Sequence, residues 1–216
     1  MRAGQKLTDN NGYQVCLFPL EYMNISQGEG GSYSHSGTYA IDFLGWGANG
    51  RILNCPCYAP VDIKCVYAPS GNSYRIYESL NKVHFADGTI DYLTIWFNHG
   101  DHNASIHVGD IFRQGTKCNE TGTSVSPGGT PVTGDHTHII VGKGKYNGQM
   151  QVNGNWTLKN QIHMYDGLFI NDTVIIDDYN YNWVDYQGGS PTPTPSGDYK
   201  KYKFKWVLYA NKLRDK

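Results

Sequence analysis

Val83-His84-Phe85-Ala86-Asp87-Gly88-Thr89-Ile90-Asp91-Tyr92-Leu93-Thr94-Ile95 carries the pattern of a β-hairpin. β-Branched and aromatic residues on either side of Asp87-Gly88 suit a pleated backbone, and the Asp-Gly pair supplies the positive φ that a tight hairpin turn needs. Outward from this hairpin, short apolar runs separated by Gly, Pro, Asn and Asp recur along the chain. None keeps a helical apolar stripe for three turns. Candidate strands fall at 14–18, 38–44, 58–67, 73–78, 82–86, 89–98, 137–143 and 173–177. The expectation is an all-β fold of mainly antiparallel sheets and long loops, with few or no long helices.

A chain of 216 residues holds one domain of ordinary size plus a small appendage. The division expected is a main domain over 1–187, a linker over 188–197 and an aromatic, basic tail over 198–216. The linker, Gly188-Gly189-Ser190-Pro191-Thr192-Pro193-Thr194-Pro195-Ser196-Gly197, favours extended polyproline II geometry. With 18 basic and 19 acidic residues the chain has no electrostatic footprint for nucleic acid. Its 26 glycines and 17 tyrosines suit a turn-rich domain with an aromatic-lined groove for a polar ligand, although most tyrosines are expected to pack on sheet surfaces.

The first residues, Met1-Arg2-Ala3-Gly4-Gln5-Lys6-Leu7-Thr8-Asp9, contain no apolar run of signal-peptide length, and no later segment has the length and apolarity of a membrane span. Synthesis in the cytoplasm without an export signal is therefore expected. Five cysteines (Cys16, Cys55, Cys57, Cys65, Cys118) argue against a complete disulfide framework. Cys55-Pro56-Cys57 has a single-residue gap, unlike the usual zinc and redox spacings, and Cys57 and Cys65 read as small buried hydrophobes.

The chemistry-bearing residues are histidines. In Gly134-Asp135-His136-Thr137-His138-Ile139-Ile140-Val141 two imidazoles lie on one face of a strand, with Thr137 on the other. Upstream, Ser34-His35-Ser36-Gly37-Thr38-Tyr39-Ala40-Ile41-Asp42-Phe43 carries a His and an Asp beside an apolar run. A hydrolytic zinc site has three protein ligands and one open position. His35, Asp42 and His138 make such a set, with His136 beside the metal but not on it. A further histidine ends the segment Thr94-Ile95-Trp96-Phe97-Asn98-His99.

Taken together these segments resemble the lysostaphin- and zoocin-type (LytM-like) zinc metalloendopeptidases, a family of peptidoglycan hydrolases, and the pattern is closest to phage or prophage endolysins. The family pattern of His-x-Gly, an Asp ligand, a strand ending in His and a Gly-x-His-x-His stretch is met by His35-Ser36-Gly37, Asp42, His99 and Gly134-Asp135-His136-Thr137-His138. Tyr58-Ala59-Pro60-Val61-Asp62-Ile63-Lys64-Cys65-Val66, Val108-Gly109-Asp110 with Gln114-Gly115, and Gly122-Thr123 resemble the intervening landmarks. The likeness covers residues 13 to 145. Asp42 lies seven residues after His35 where most of the family has four; Asp62 and Asp91 are the alternative carboxylates.

The resemblance implies a duplicated-hybrid-motif β-sandwich or barrel, one zinc ion per chain, a general base at His136 and an oxyanion-stabilising His99, with Tyr33 as an additional hydroxyl. It implies hydrolysis of a peptide bond in the stem or cross-bridge of bacterial peptidoglycan by a monomer. No nucleic-acid partner and no membrane insertion are expected, and the protein, made in the host cytoplasm, is expected to act on the periplasmic or extracellular side of the wall after release. Three other readings are a virion tail hydrolase of the same chemistry, a non-catalytic peptidoglycan-binding or activator relative, and a Cys-His amidase using Cys16. The tail Lys201-Tyr202-Lys203-Phe204-Lys205-Trp206-Val207 resembles the opening of a Src-homology-type wall-binding barrel, or else it is a strand on the main domain or a basic tail.

Overall fold

In a computed structural model, which describes residues 1–188 apart from 127, 128, 130 and 131, the Asp87-Gly88 hairpin forms as a three-residue turn. Gly88 takes φ 84° and the Phe85 N–H donates to the Thr89 carbonyl at 2.9 Å, so one positive-φ residue closes the turn rather than two. Its arms are short: Val83–His84 pairs with Ile90–Asp91. Beyond Tyr92 the chain leaves the hairpin and enters a larger sheet as Leu93–Asn98.

That sheet contains nine strands among the described residues: β1 (Tyr22–Gln27), β2 (Ile41–Phe43), β3 (Ile63–Tyr67), β4 (Arg75–Ser79), β5 (Leu93–Asn98), β6 (Ile111–Phe112), β7 (Thr137–Lys143), β8 (Gln161–Ile162) and β9 (Val174–Asp177). Their order is β6-β3-β4-β5-β7-β2-β1-β9, with β8 paired to β7. All pairs are antiparallel except β1 with β9. Four two-stranded pairs flank it. Among the described residues the helical elements are one turn at Met164–Gly167 and a 3-10 turn at Asn103–Ser105. The fold is all-β, as the patterning predicts.

Alternation along the central strands sorts side chains between two faces. Ile139 and Val141 of β7, Ile41 and Phe43 of β2, and Leu93, Ile95 and Phe97 of β5 enter one large core, where Phe18 meets Phe43 edge-on at 5.0 Å. The intervening positions Ala40, Trp96 and Ile140 face the other side and pack with Ile76 and Leu158 in a smaller cluster. Both faces of β5 and β7 are thus dry over most of their length. At one end, polar residues replace the apolar ones.

The structure departs from the expected strands where local chemistry competes with the apolar pattern. Residues 14–18 make only isolated bridges, through Gln14, Val15 and Leu17. The run 58–67 is broken, because Pro60 has no N–H for a ladder and Asp62 turns aside to accept hydrogen bonds from the Gln114 N–H at 2.8 Å and the Arg113 guanidinium at 2.7 Å. Pro56–Tyr58 pairs instead with Lys117–Glu120. Strand β1 lies outside the expected strands, its alternation being only partial, with Met23 and Ile25 buried. All five cysteines are buried and unpaired. No described helix is long and apolar enough to cross a membrane. The proposed linker, save Gly188, and the whole tail lie outside the described residues.

The N-terminal segment is tied to this core by a buried pair, Asp9 Oδ2 with His84 Nδ1 at 2.7 Å. Burial alone would raise the Asp9 carboxyl, but hydrogen bonds from His84 and from the Tyr13 and Asn11 N–H groups outweigh it and hold the carboxyl below its ordinary value. A depressed carboxyl contributes stability above its unfolded pKa, near ~3.9, which is lost as pH falls through the folded value. Asp9→Asn is expected to cost about 1.5–3 kcal/mol at pH 7. Thermal melts from pH 7 down to 3 should show the gap to wild type closing below about pH 4; a gap independent of pH would contradict this.

Candidate metal centre and its histidine surround

Register builds the centre. His138 on β7 lies directly opposite Asp42 on β2, and on its other side opposite Asn98 on β5. Cross-strand partners bring their Cβ atoms to within ~4.5–5.5 Å, so a carboxylate and an imidazole meet without any loop having to place them. Thr137 points the other way and is fully buried, as alternation requires. The next residue after Asn98 is His99, which leaves the strand with φ 72°.

His35 comes from a tight loop. Its N–H donates to the Gly31 carbonyl at 3.0 Å and its carbonyl accepts the Thr38 N–H at 2.8 Å. The side chain is fully buried, and Nδ1–H donates to the Gly28 carbonyl at 2.9 Å. That bond fixes the tautomer and leaves the Nε2 lone pair facing inward. The hairpin Gln149–Val152 with Asn155–Leu158 braces this loop. Asn153 Nδ2 donates to Ser36 Oγ at 3.2 Å and Asn155 Nδ2 to the Ser36 carbonyl at 3.3 Å. Sequence reasoning missed this element, although Asn153-Gly154, at φ 49° and 84°, is the dipeptide that favours such a turn.

His35 Nε2, Asp42 Oδ1 and His138 Nδ1 form a near-equilateral triangle with edges of 3.2, 3.1 and 3.0 Å. Tetrahedral ligands held ~2.0–2.1 Å from one ion lie roughly 3.3–3.4 Å apart, so the triangle has the right size and donor set for a metal. The three residues form a possible metal-binding triad.

Electrostatics agree with that chemistry. Burial would raise the Asp42 carboxyl, but the His138 and His35 imidazoles packed against it outweigh this and hold it well below the usual carboxylate range. Burial lowers the His138 imidazole against the opposing pull of Asp42. Neutral imidazoles and an ionised carboxylate are the forms that ligate.

Two more histidines stand over the triangle. His136 Nε2 lies 3.8 Å from Asp42 Oδ2, while its Nδ1–H donates to the Gly134 carbonyl at 2.8 Å. His99 lies 4.6 Å from His136, ring centre to ring centre, and its Nδ1–H donates to the Ser124 carbonyl at 2.8 Å. Burial first, then the neighbouring His138 and His136, push the His99 pKa down to about 4. Gly122 closes the floor: its N–H and carbonyl pair with His136, and a Cβ there would meet the His99 carbonyl oxygen at 2.2 Å.

All five expected residues, His35, Asp42, His99, His136 and His138, are therefore brought together. The alternative carboxylates are elsewhere: Asp62 is held by Gln14, Gln114 and Arg113, and Asp91 accepts its neighbour's N–H from Tyr92 at 2.8 Å. Tyr33 is 69% exposed and makes no hydrogen bond to the five. Cys16 is fully buried, and burial raises its thiol well above the ordinary value, which is the opposite of an activated nucleophile.

No family model matches the chain. Morphogenesis protein 1 of Bacillus phage B103 is 34% identical over 175 residues, 81% of this chain and 45% of that protein. The chain thus spans less than half the length of this curated relative. Among solved structures, Helicobacter pylori Csd3 matches 97% of this chain and 48% of its own at 12% identity, with a TM-score of 0.40, a likeness too remote to bear on function.

His138→Ala and Asp42→Ala should each abolish tight metal binding, whereas His136→Ala and Asp62→Ala should retain it. Metal content after dialysis against a trace of the ion checks this, with His136→Ala losing as much metal as His138→Ala being the result that removes the assignment.

Proposed function

We propose that this domain is a zinc-dependent endopeptidase that hydrolyses a peptide bond in the stem or cross-bridge of bacterial peptidoglycan. The observation that carries the reading is the triangle of His35 Nε2, Asp42 Oδ1 and His138 Nδ1 with the uncoordinated His136 Nε2 beside it. Two imidazoles and one carboxylate with a fourth side left open are the ligand set of hydrolytic zinc sites. The family resemblance supplies the substrate class.

His35, Asp42 and His138 would hold one zinc ion per chain, which supplies Lewis acidity to polarise the scissile carbonyl and acidify the attacking water. The rest is done by the chain. His136, its Nδ1–H committed to Gly134, keeps Nε2 free to take a proton from that water. His99 is likewise bonded through Nδ1–H to Ser124, so it would donate to a tetrahedral oxyanion through Nε2–H only as the imidazolium, a form that its lowered pKa disfavours in the free protein and that the oxyanion's own negative charge favours. The backbone carbonyls thus assign the starting tautomers before any substrate arrives. A Cys-His amidase is disfavoured by the inaccessible Cys16, and a non-catalytic binding role by a ligand set that is present and converged.

A phage setting is supported by the relative from Bacillus phage B103. That relative is named for morphogenesis, which favours a second setting with the same chemistry: a virion-associated enzyme that opens the wall locally, beside that of an endolysin freed at lysis. In either setting the partner is peptidoglycan, engaged by a monomer.

Incubation with purified cell walls should release free amino groups and no new reducing sugar ends. A strong chelator should abolish this and zinc restore it, while thiol alkylation leaves it largely intact. Wall cleavage by metal-free protein, or reducing ends in place of amino groups, would refute the proposal.

A further inference from the structure

The loop after β2 carries a small hairpin, Trp46–Gly47 with Gly50–Arg51, and then Asn54, in the left-handed region at φ 50°. Asn54 Nδ2 donates to Asp101 Oδ2 at 2.9 Å and to the Thr121 carbonyl at 3.3 Å. Its backbone N–H donates to Asp135 Oδ2 at 3.0 Å. One residue therefore bridges two carboxylates in separate segments.

Each carboxylate organises a histidine. Asp101, two residues after His99, accepts the Thr123 N–H at 2.9 Å and the Ser124 hydroxyl at 2.8 Å through Oδ1. Ser124 is the residue whose carbonyl receives His99 Nδ1–H and whose N–H returns to the His99 carbonyl at 3.2 Å. Asp135 immediately precedes His136; its Oδ1 accepts the Thr121 hydroxyl at 2.5 Å, and its backbone carbonyl accepts from the Arg51 guanidinium. The bridge Asp101–Asn54–Asp135 thus couples the turn that orients His99 to the strand start that carries His136. None of these hydrogen bonds involves His35, Asp42 or His138.

We propose that Asn54 is a positioning residue that sets His99 and His136 relative to one another, and so sets turnover, without contributing to metal binding. This rests on the reading of those two histidines as the proton-handling groups of a peptidase. Misplacement of a catalytic group by about an ångström costs on the order of 100-fold in rate, and the bridge makes no hydrogen bond to the three residues of the metal triad.

The test is Asn54→Gly in the full chain. Glycine accepts φ 50° without strain and keeps the backbone N–H to Asp135, so only the side-chain bridge is removed. Asp101→Asn is the complement: it can retain the Oδ1 acceptor for Thr123 and Ser124 but opposes an amide to the Asn54 amide. With soluble cross-linked muropeptides and zinc-loaded protein, each variant should lower kcat by on the order of 10- to 100-fold with KM and zinc affinity within about twofold. The double variant should be no slower than the slower single one. Unchanged kcat in Asn54→Gly, or a loss that tracks zinc content or thermal midpoint, would overturn the proposal. If zinc-loaded wild type shows no turnover, the peptidase reading fails instead. Imidazole NMR then decides the positioning role: His99 and His136 signals shifting in Asn54→Gly while His35 and His138 stay fixed supports it, and no shift at His99 or His136 overturns it.

Discussion

The register of β2 against β7 is the constraint on which the rest depends. It sets Asp42 opposite His138, and sliding β2 by one residue would turn Asp42 into the apolar core and bring Ile41 or Phe43 to the site face beside His138. The core enforces the register. Ile41 and Phe43 are fully buried on the opposite face with Ile139 and Val141, so a slip of β2 would withdraw two apolar side chains from that core at roughly 1.5–3 kcal/mol each. The same ladder carries β5, whose last residue pairs with His138 and whose successor is His99.

Around that rigid pair the loops contribute orientation. Three of the four histidines give Nδ1–H to a backbone carbonyl: His35 to Gly28, His136 to Gly134 and His99 to Ser124. Each is left with an Nε2 lone pair. His138, held by the strand itself, offers Nδ1 instead. With His35 Nε2 turned inward by the Gly28 carbonyl and the Asp42 carboxyl held well below the usual range, the three donor atoms of the possible metal triad already face one another.

Much of this was legible in the sequence because strands encode direction. The His-x-His spacing of His136 and His138 places both rings on one face, and the run Ile139-Ile140-Val141 identifies the strand. The boundaries of β7 were readable to the residue. What stayed hidden was contributed by turns and by side chains whose partners are distant in the chain. The bracing hairpin at 149–158 carries a clear Asn153-Gly154 signal but few apolar residues. The bridge through Asn54 joins residues 47 and 81 positions apart and has no local pattern at all. Pro60 and Asp62 broke a strand that hydrophobicity alone made continuous.

The proposed function requires a single metal ion among His35, Asp42 and His138, the possible metal-binding triad. Zinc-edge X-ray absorption on the purified, zinc-loaded protein measures the ligand shell directly. About two imidazole nitrogens are expected with the remaining ligands oxygen, all near ~2.0–2.2 Å, and no sulfur. A zinc–sulfur distance near ~2.3 Å, which would place the ion among the cysteines, would contradict it.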